Sequence, residues 1–215
     1  GYTSWKAVKI AIEEMVAPLL VGKDMSNIPE LLLTLQKSLH LFGRYGITMF
    51  AISGVEIALW DALGKEKNKP IHELLGKKNK DLFKAYSSLF RYGDPKIIEQ
   101  KCKQSLDDGY QAIKLHEIEN DCIEAGRKGT GNLPLMLDTN CPWTYEETLS
   151  KKDFLKSMKL TWLEEPIYPP EDYETLAKLN KELGIPIACG ENACTEFEFK
   201  SCLLYTSDAA DDKCS

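Results

Sequence analysis

The first 80 residues and the rest of the chain follow different rhythms. Apolar residues recur at helical intervals through WKAVKIAIEEMVAPLL (5–20), with Ser4 placed to cap the start. A second amphipathic helix fits 28–39. A third, 48–65, contains FAISGVEIALWDALGK and is apolar on most faces, which predicts burial between layers. A short turn of helix, PIHELLG, begins at Pro70 and stops at Gly76. No strand pattern separates these helices, so they are expected to form part of a separate layer or domain.

After Lys80 the pattern changes to strand, helix, strand, helix. Strands are predicted at 83–89, 112–116, 134–140, 160–165 and 185–191. Helices are predicted at 95–107, 119–128, 145–156 and 171–182, with a last one starting near Thr195. Such alternation implies parallel pairing through right-handed crossovers. Charges sit mainly at strand ends, as in a sheet buried on both faces. The fold class is therefore α/β, a partial (β/α) barrel of the TIM type with about five βα units over 81–201. A complete eight-unit barrel takes about 250 residues. The sheet is expected to end open, and its unpaired edges predict poor solubility and no activity for the isolated chain.

From Cys202 the composition shifts to CLLYTSDAADDKCS. The string resembles the in-frame translation of a transposon-type sequencing adapter, so 202–215 is expected to be a non-native read-through tail. Gly1 is likewise expected to fall inside a longer gene product. Apolar content of 43% and charged content of 28% are ordinary for a globular protein. A net charge of −6 provides no basic footprint for nucleic acid. No run approaches the roughly 18 consecutive apolar residues of a membrane span, so no membrane partner is expected. Seven cysteines without regular spacing argue against a disulfide framework and for a reducing, cytoplasmic compartment.

Three acids close successive apolar runs. LPLMLD ends at Asp138, LTWLEEP carries Glu164 and Glu165, and IPIACGEN carries Glu191. Asp138, Glu164 and Glu191 fall 26 and 27 residues apart, about one strand plus one helix. A parallel barrel delivers the C-terminal residue of every strand to one rim, where active sites are built. Convergent carboxylates repel one another unless a cation sits among them, and hard oxygen ligands suit one such as Mg²⁺. Any one acid alone would suit an ordinary surface ion pair; three at matched strand ends favour metal.

Residues two apart in a strand share a face. Lys114 and His116 of AIKLH therefore point the same way, as do Asp138 and Asn140. Only one of Glu164 and Glu165 can face the barrel axis. Glu164 shares its face with Trp162 and Glu165 shares the other with Leu163, so alternation does not choose between them. Asn140 is placed either to touch substrate or to orient Asp138. Asn192 reads as structural, and Glu165 as the partner of a cation around the barrel. Cys141, Cys189 and Cys194 fall near the same rim, but their spacing suits packing better than a soft-metal site.

The stretches AISGVEIALWDALGK, AIKLHE, LMLDTN, WLEEPIYPPEDYE and IPIACGEN resemble, in order and spacing, the mandelate racemase and muconate lactonizing branch of the enolase superfamily. The resemblance covers 1–201. It implies that 1–80 is the helical portion of an N-terminal capping domain over a modified (β/α) barrel. It also implies that the first acid of EEP is a metal ligand, which selects Glu164, and that Asp138, Glu164 and Glu191 hold Mg²⁺. The shared step of that superfamily is removal of a proton beside a carboxylate to give an enediolate, with a Lys or His base and Mg²⁺ stabilising the anion. The family commonly carries Lys-x-Lys on the second barrel strand, with the second Lys as base; here the segment reads Lys114-Leu115-His116. Imidazole needs little tuning to act near neutral pH, whereas Lys must be shifted down by several units. His116 is thus expected as base or acid, Lys114 as the group stabilising the substrate carboxylate, and Asn140 as a substrate contact.

These expectations describe an Mg²⁺-dependent lyase acting on a small carboxylate, of the acid-sugar dehydratase kind. A racemase, epimerase or cycloisomerase of the same superfamily is the alternative. A catalytically silent metal-binding barrel is the alternative of another class. By the resemblance, the residue that decides among reactions lies on strands six and seven, beyond Ser201, and the full-length protein is a homo-oligomer.

Overall fold

The computed structural model describes residues 4–76, 80 and 82–206. The chain divides into two compact units, Gly1–Leu82 and Phe83–Ser215.

The first unit is helical. Helix α1 (Trp5–Ala11) runs through a wide π turn (Ile12–Val16) into α2 (Ala17–Leu20). Pro18, near the start of α2, lacks an N–H and its ring crowds the carbonyl four residues back, and the wide turn ahead of it accommodates both. Ser4 starts this rod, but its hydroxyl caps nothing; its carbonyl accepts the Val8 N–H instead, at 3.1 Å. Helix α3 (Ile28–Leu39) is capped by the Asn27 side chain, which accepts from the Glu30 N–H and donates to the Glu30 carboxylate at 2.9 Å. Helix α4 (Gly46–Lys67) ends on Asn68 in the left-handed region, and α5 spans Ile71–Leu75.

The expected burial of α4 is not what the structure shows. Ala51 and Ile52 join Ala11, Val16, Ile28, Leu32, Leu35 and Leu39 in the core, while Ile47, Phe50 and Ile57 remain exposed. The reason is one-sided packing: α1, the π turn and α3 cover a single face of a helix that is apolar all round. By length and composition α4 also satisfies the test for a membrane span, which run length alone does not register because Glu56 and Asp61 interrupt it.

The second unit alternates strand and helix. Strands β1 (Ser87–Ser88), β2 (Ile113–Leu115), β3 (Leu135–Asp138), β4 (Leu163–Glu164) and β5 (Ile187–Ala188) form one parallel sheet in chain order. Between them lie α6 (Pro95–Asp107), α7 (Asn120–Thr130), α8 (Tyr145–Ser150), α9 (Lys152–Ser157) and α10 (Tyr173–Leu183), followed by α11 (Glu196–Thr206). The regular strands are shorter than their apolar runs, although backbone hydrogen bonds between the ends of β3 and β4 continue through Thr139, Cys141 and Trp143. The helix expected over 145–156 is broken at Lys151, and a Thr144–Glu147 capping box starts its first half. Helix α11 passes Ser201 without interruption as far as Thr206; residues 207–215, the rest of the expected tail, lie outside the described residues.

Strand alternation sorts the chemistry. Ile113, Leu115, Leu135, Leu137 and Leu163 join the apolar core with Ile98, Cys102 and Ile123 of the helices. Lys114, Asp138 and Glu164 belong to the other face of the sheet. Helix α7 can lie close because Gly126 and Gly129 carry no side chain. A Cβ on Gly129 would come within 2.7 Å of Cys102 Cβ and 2.8 Å of the Glu99 carbonyl oxygen.

Candidate active site

Register brings the rim residues together. Asp138 lies directly opposite Glu164 across β3 and β4, and Leu115 lies opposite Leu137, which sets His116 beside Asp138. Lys114 Nζ donates to Asp138 Oδ2 at 2.9 Å and to Glu164 Oε1 at 3.0 Å. His116 Nε2 lies 3.3 Å from the same Asp138 Oδ2. Trp162 Nε1 donates to the remaining oxygen of Glu164 at 3.0 Å.

The three acids that close the apolar runs converge. Asp138, Glu164 and Glu191 each offer a carboxylate oxygen, and these oxygens lie within 4.8 Å of one another. Asp138 is buried, Glu164 half-buried and Glu191 exposed, so the group opens from the sheet toward solvent. An all-oxygen, triply acidic donor set with one exposed member fits a hard divalent cation that retains some water. Lys114 supplies the counter-charge within the protein. Burial works against its ammonium, but the hydrogen bonds and charges of Asp138 and Glu164 outweigh that and hold its pKa above the usual lysine range.

Glu165 takes a different path from Glu164. Its backbone turns into the left-handed region at φ 47°, and its side chain is 2% exposed. Asn192 Nδ2 donates to both of its oxygens, at 3.0 and 3.1 Å, and the Cys141 thiol approaches at 3.6 Å. Among the described residues its partners are this neutral amide, from the neighbouring strand end, and the thiol, rather than the cation expected from the sequence. Burial pushes its carboxyl up to about 7 against the Asn192 hydrogen bond, with the charges of Glu191 and Asp138 adding to the rise. Burial likewise pushes the Cys141 thiol up to about 12, helped by Glu165. Cys189 Sγ lies 3.2 Å from Cys202 Sγ and Cys194 is exposed, so the three rim cysteines do not gather into one site.

Asn140 engages Asp138 rather than open space. Its Nδ2 donates to Asp138 Oδ1 at 2.9 Å and its backbone N–H to the same oxygen at 3.2 Å. Asn140, Cys141 and Glu165 all have positive φ, so strained backbone collects at these strand ends.

Two contributors escaped sequence reasoning. Arg91, just past β1, donates through Nε to the His116 carbonyl at 2.6 Å, and through Nη2 to the Thr139 carbonyl at 2.9 Å and Asn140 Oδ1 at 3.3 Å. Glu117 is 2% exposed and accepts from the Tyr92 N–H at 2.7 Å. The only signal either gave was a charged residue beside a strand end, with no period or motif to single it out.

His116 has a defined ring orientation. Its Nδ1 faces the Leu89 carbonyl at 2.5 Å. A carbonyl oxygen only accepts, so Nδ1 carries a proton in either charge state. Nε2 is therefore the nitrogen that gains or loses one, and it is the nitrogen facing Asp138.

Comparison with known proteins bears on this arrangement. The Enolase C-terminal domain-like family matches residues 98–208, and the Mandelate racemase / muconate lactonizing enzyme N-terminal domain matches residues 1–76. An arabinonate dehydratase of Saccharolobus solfataricus is 35% identical, over 93% of this chain and 56% of its own length. The crystal structure of a 3,6-anhydro-D-galactonate cycloisomerase from Zobellia galactanivorans superposes with a TM-score of 0.86 at 27% identity, covering 94% of this chain and 58% of that one. A racemase from Streptomyces coelicolor, solved with bound magnesium, gives a TM-score of 0.84 at 28% identity, with 94% and 62% covered. The chain thus spans little more than half the length of these relatives.

Proposed function

The chain belongs to the mandelate racemase and muconate lactonizing enzyme family of the enolase superfamily, and on that premise we propose that the intact protein is an Mg²⁺-dependent acid-sugar dehydratase. The observation that carries this reading is the convergence of Asp138, Glu164 and Glu191 within 4.8 Å, with Lys114 and His116 both reaching Asp138. Asp138, Glu164 and Glu191 are the residues that would hold the cation. When bound, Mg²⁺ supplies Lewis-acid neutralisation of the charge that grows on the substrate carboxylate.

The protein's own groups do the rest. Lys114 adds a fixed positive charge beside the carboxylate-binding position, in a buried setting where charge is screened less than in water. His116 Nε2 takes the proton from the carbon next to that carboxylate, while the Leu89 carbonyl keeps the ring from turning. The electron pair released moves into the carboxylate as an enediolate. Its collapse expels the hydroxyl of the next carbon, which leaves as water with the proton that His116 held. The enol product then becomes the 2-keto-3-deoxy acid. Likeness to an arabinonate dehydratase supports the sugar-acid class.

The test is a screen of aldonic and aldaric acids with the intact protein and Mg²⁺ in D₂O. Formation of a 2-keto-3-deoxy acid supports the dehydratase. Deuterium incorporation with isomerisation and no keto acid favours the racemase or cycloisomerase chemistry named for two structural relatives. Metal binding with neither keto acid nor exchange would leave the silent barrel.

A further inference from the structure

We propose that Arg91 is a positioning residue for this site, acting through Asn140 on the Asp138 carboxylate and through the backbone on His116. The inference rests on the reading of Asp138, Glu164 and Glu191 as metal ligands.

The ladder between β2 and β3 ends at Leu115 and Leu137, so the carbonyls beyond it lack strand partners. Arg91 reaches two of them from the loop after β1: Nε binds the His116 carbonyl and Nη2 the Thr139 carbonyl. One rigid guanidinium plane thus ties the ends of β2 and β3 to the loop after β1. The loop is itself held in place from the opposite direction, because buried Glu117 accepts the Tyr92 N–H at 2.7 Å and the Gly93 N–H at 3.3 Å. Arg91 and Glu117 make a reciprocal brace across the segment that contains His116.

The same guanidinium sets the sense of the Asn140 amide. Arg91 has only donors, so the Asn140 atom facing it at 3.3 Å must be the oxygen. That leaves Nδ2 turned to Asp138 Oδ1, where the Asn140 N–H also points. Oδ1 is therefore saturated by two donors. Oδ2 is left to face Lys114, His116 and the interior of the acidic group. Arg91 and Asp138 select the same orientation of the amide, and Arg91 anchors the oxygen end, so that without it the amide is held only through its contact with Asp138.

The test uses the intact protein and Mn²⁺, read by electron paramagnetic resonance, alongside thermal melting. Partners outside the ligand set are worth about 10–100-fold in metal affinity. Arg91→Ala is expected to weaken Mn²⁺ binding at least about 10-fold, with folding intact. Arg91→Lys is expected to restore little, because a point charge cannot hold two carbonyls and an amide oxygen, whereas millimolar guanidinium added to Arg91→Ala restores part of the loss. The double variant with Asn140→Ala is expected to bind no more weakly than Asn140→Ala alone. Unchanged Mn²⁺ affinity in a folded Arg91→Ala protein overturns the proposal, as does full restoration by Arg91→Lys or losses that multiply in the double variant. Absence of Mn²⁺ binding in the unaltered protein overturns the metal reading and this inference with it.

Discussion

Lys114 Nζ lies 2.9 Å from Asp138 Oδ2, and the Asp138 side chain is 1% exposed. The same nitrogen lies 3.0 Å from Glu164, so one ammonium balances two carboxylates. Removing one partner of a buried pair leaves an uncompensated charge. Lys114→Met is therefore expected to cost the metal-free protein about 3 kcal/mol. A divalent cation among the same carboxylates would take over the counter-charge, so Mg²⁺ is expected to recover much of that loss. Urea unfolding in EDTA and in saturating Mg²⁺ measures both; equal losses would separate the cation from this pair.

The orientation of His116 makes a sharper demand on the proposed reaction. Its Nδ1 is committed to the Leu89 carbonyl and its Nε2 faces the site. His116→Ala is expected to slow exchange of the substrate α-proton in D₂O by about 10²–10⁴-fold. Mg²⁺ affinity should stay near that of the unaltered protein, because the acids and Lys114 are intact. Exchange at the normal rate would remove His116 from the role of base.

How far this site was legible in the sequence depends on where alternation ends. Asp138 and Glu164 could be placed on one rim because each closes an apolar run, and a run of buried β-strand needs no partner to be recognised. The structure then sets Asp138 directly opposite Glu164, a register that residue spacing alone did not specify. The choice between Glu164 and Glu165 could not follow from alternation, and it came from resemblance alone. The structure separates them through a feature with no sequence period, the left-handed turn at Glu165. Arg91 and Glu117 were missed for a related reason: they act on backbone carbonyls and N–H groups at the strand ends, and those groups leave no mark on residue type. For α4 the apolar pattern was read correctly as a helix. Its exposure was not, because composition reports what a helix can bury and not what packs against it.

Close packing of α6 on α7 offers a test far from the acids. A Cβ at Gly129 would fall 2.8 Å from the backbone oxygen of Glu99, which cannot swing aside as a flexible side chain could. Alanine gains up to about 1 kcal/mol over glycine in helix propensity, but forcing atoms into a packed interface costs about 1–3 kcal/mol. Gly129→Ala is accordingly expected to lower stability by about 1 kcal/mol, read as a fall in melting temperature. Metal affinity should be unaffected, since α6 and α7 lie on the core side of the sheet. A stabilised variant would mean that α6 and α7 separate without cost.

Glu164 and Glu165 differ by one position and should differ widely in consequence. Glu164 joins Asp138 and Glu191 in the acidic group and accepts from Lys114, whereas Glu165 is turned aside and capped by Asn192. Glutamine preserves the shape of both side chains and removes only the charge. Glu164→Gln is expected to weaken Mg²⁺ binding by more than the roughly 10–100-fold typical of residues outside the ligand set. Glu165→Gln keeps an oxygen for the Asn192 amide and should stay within about 10-fold of the unaltered protein. Calorimetric Mg²⁺ titration of the two variants decides the matter, with EDTA-treated protein as the reference for full loss. A reversed order would move the ligand to Glu165 and require the left-handed turn there to open when metal binds.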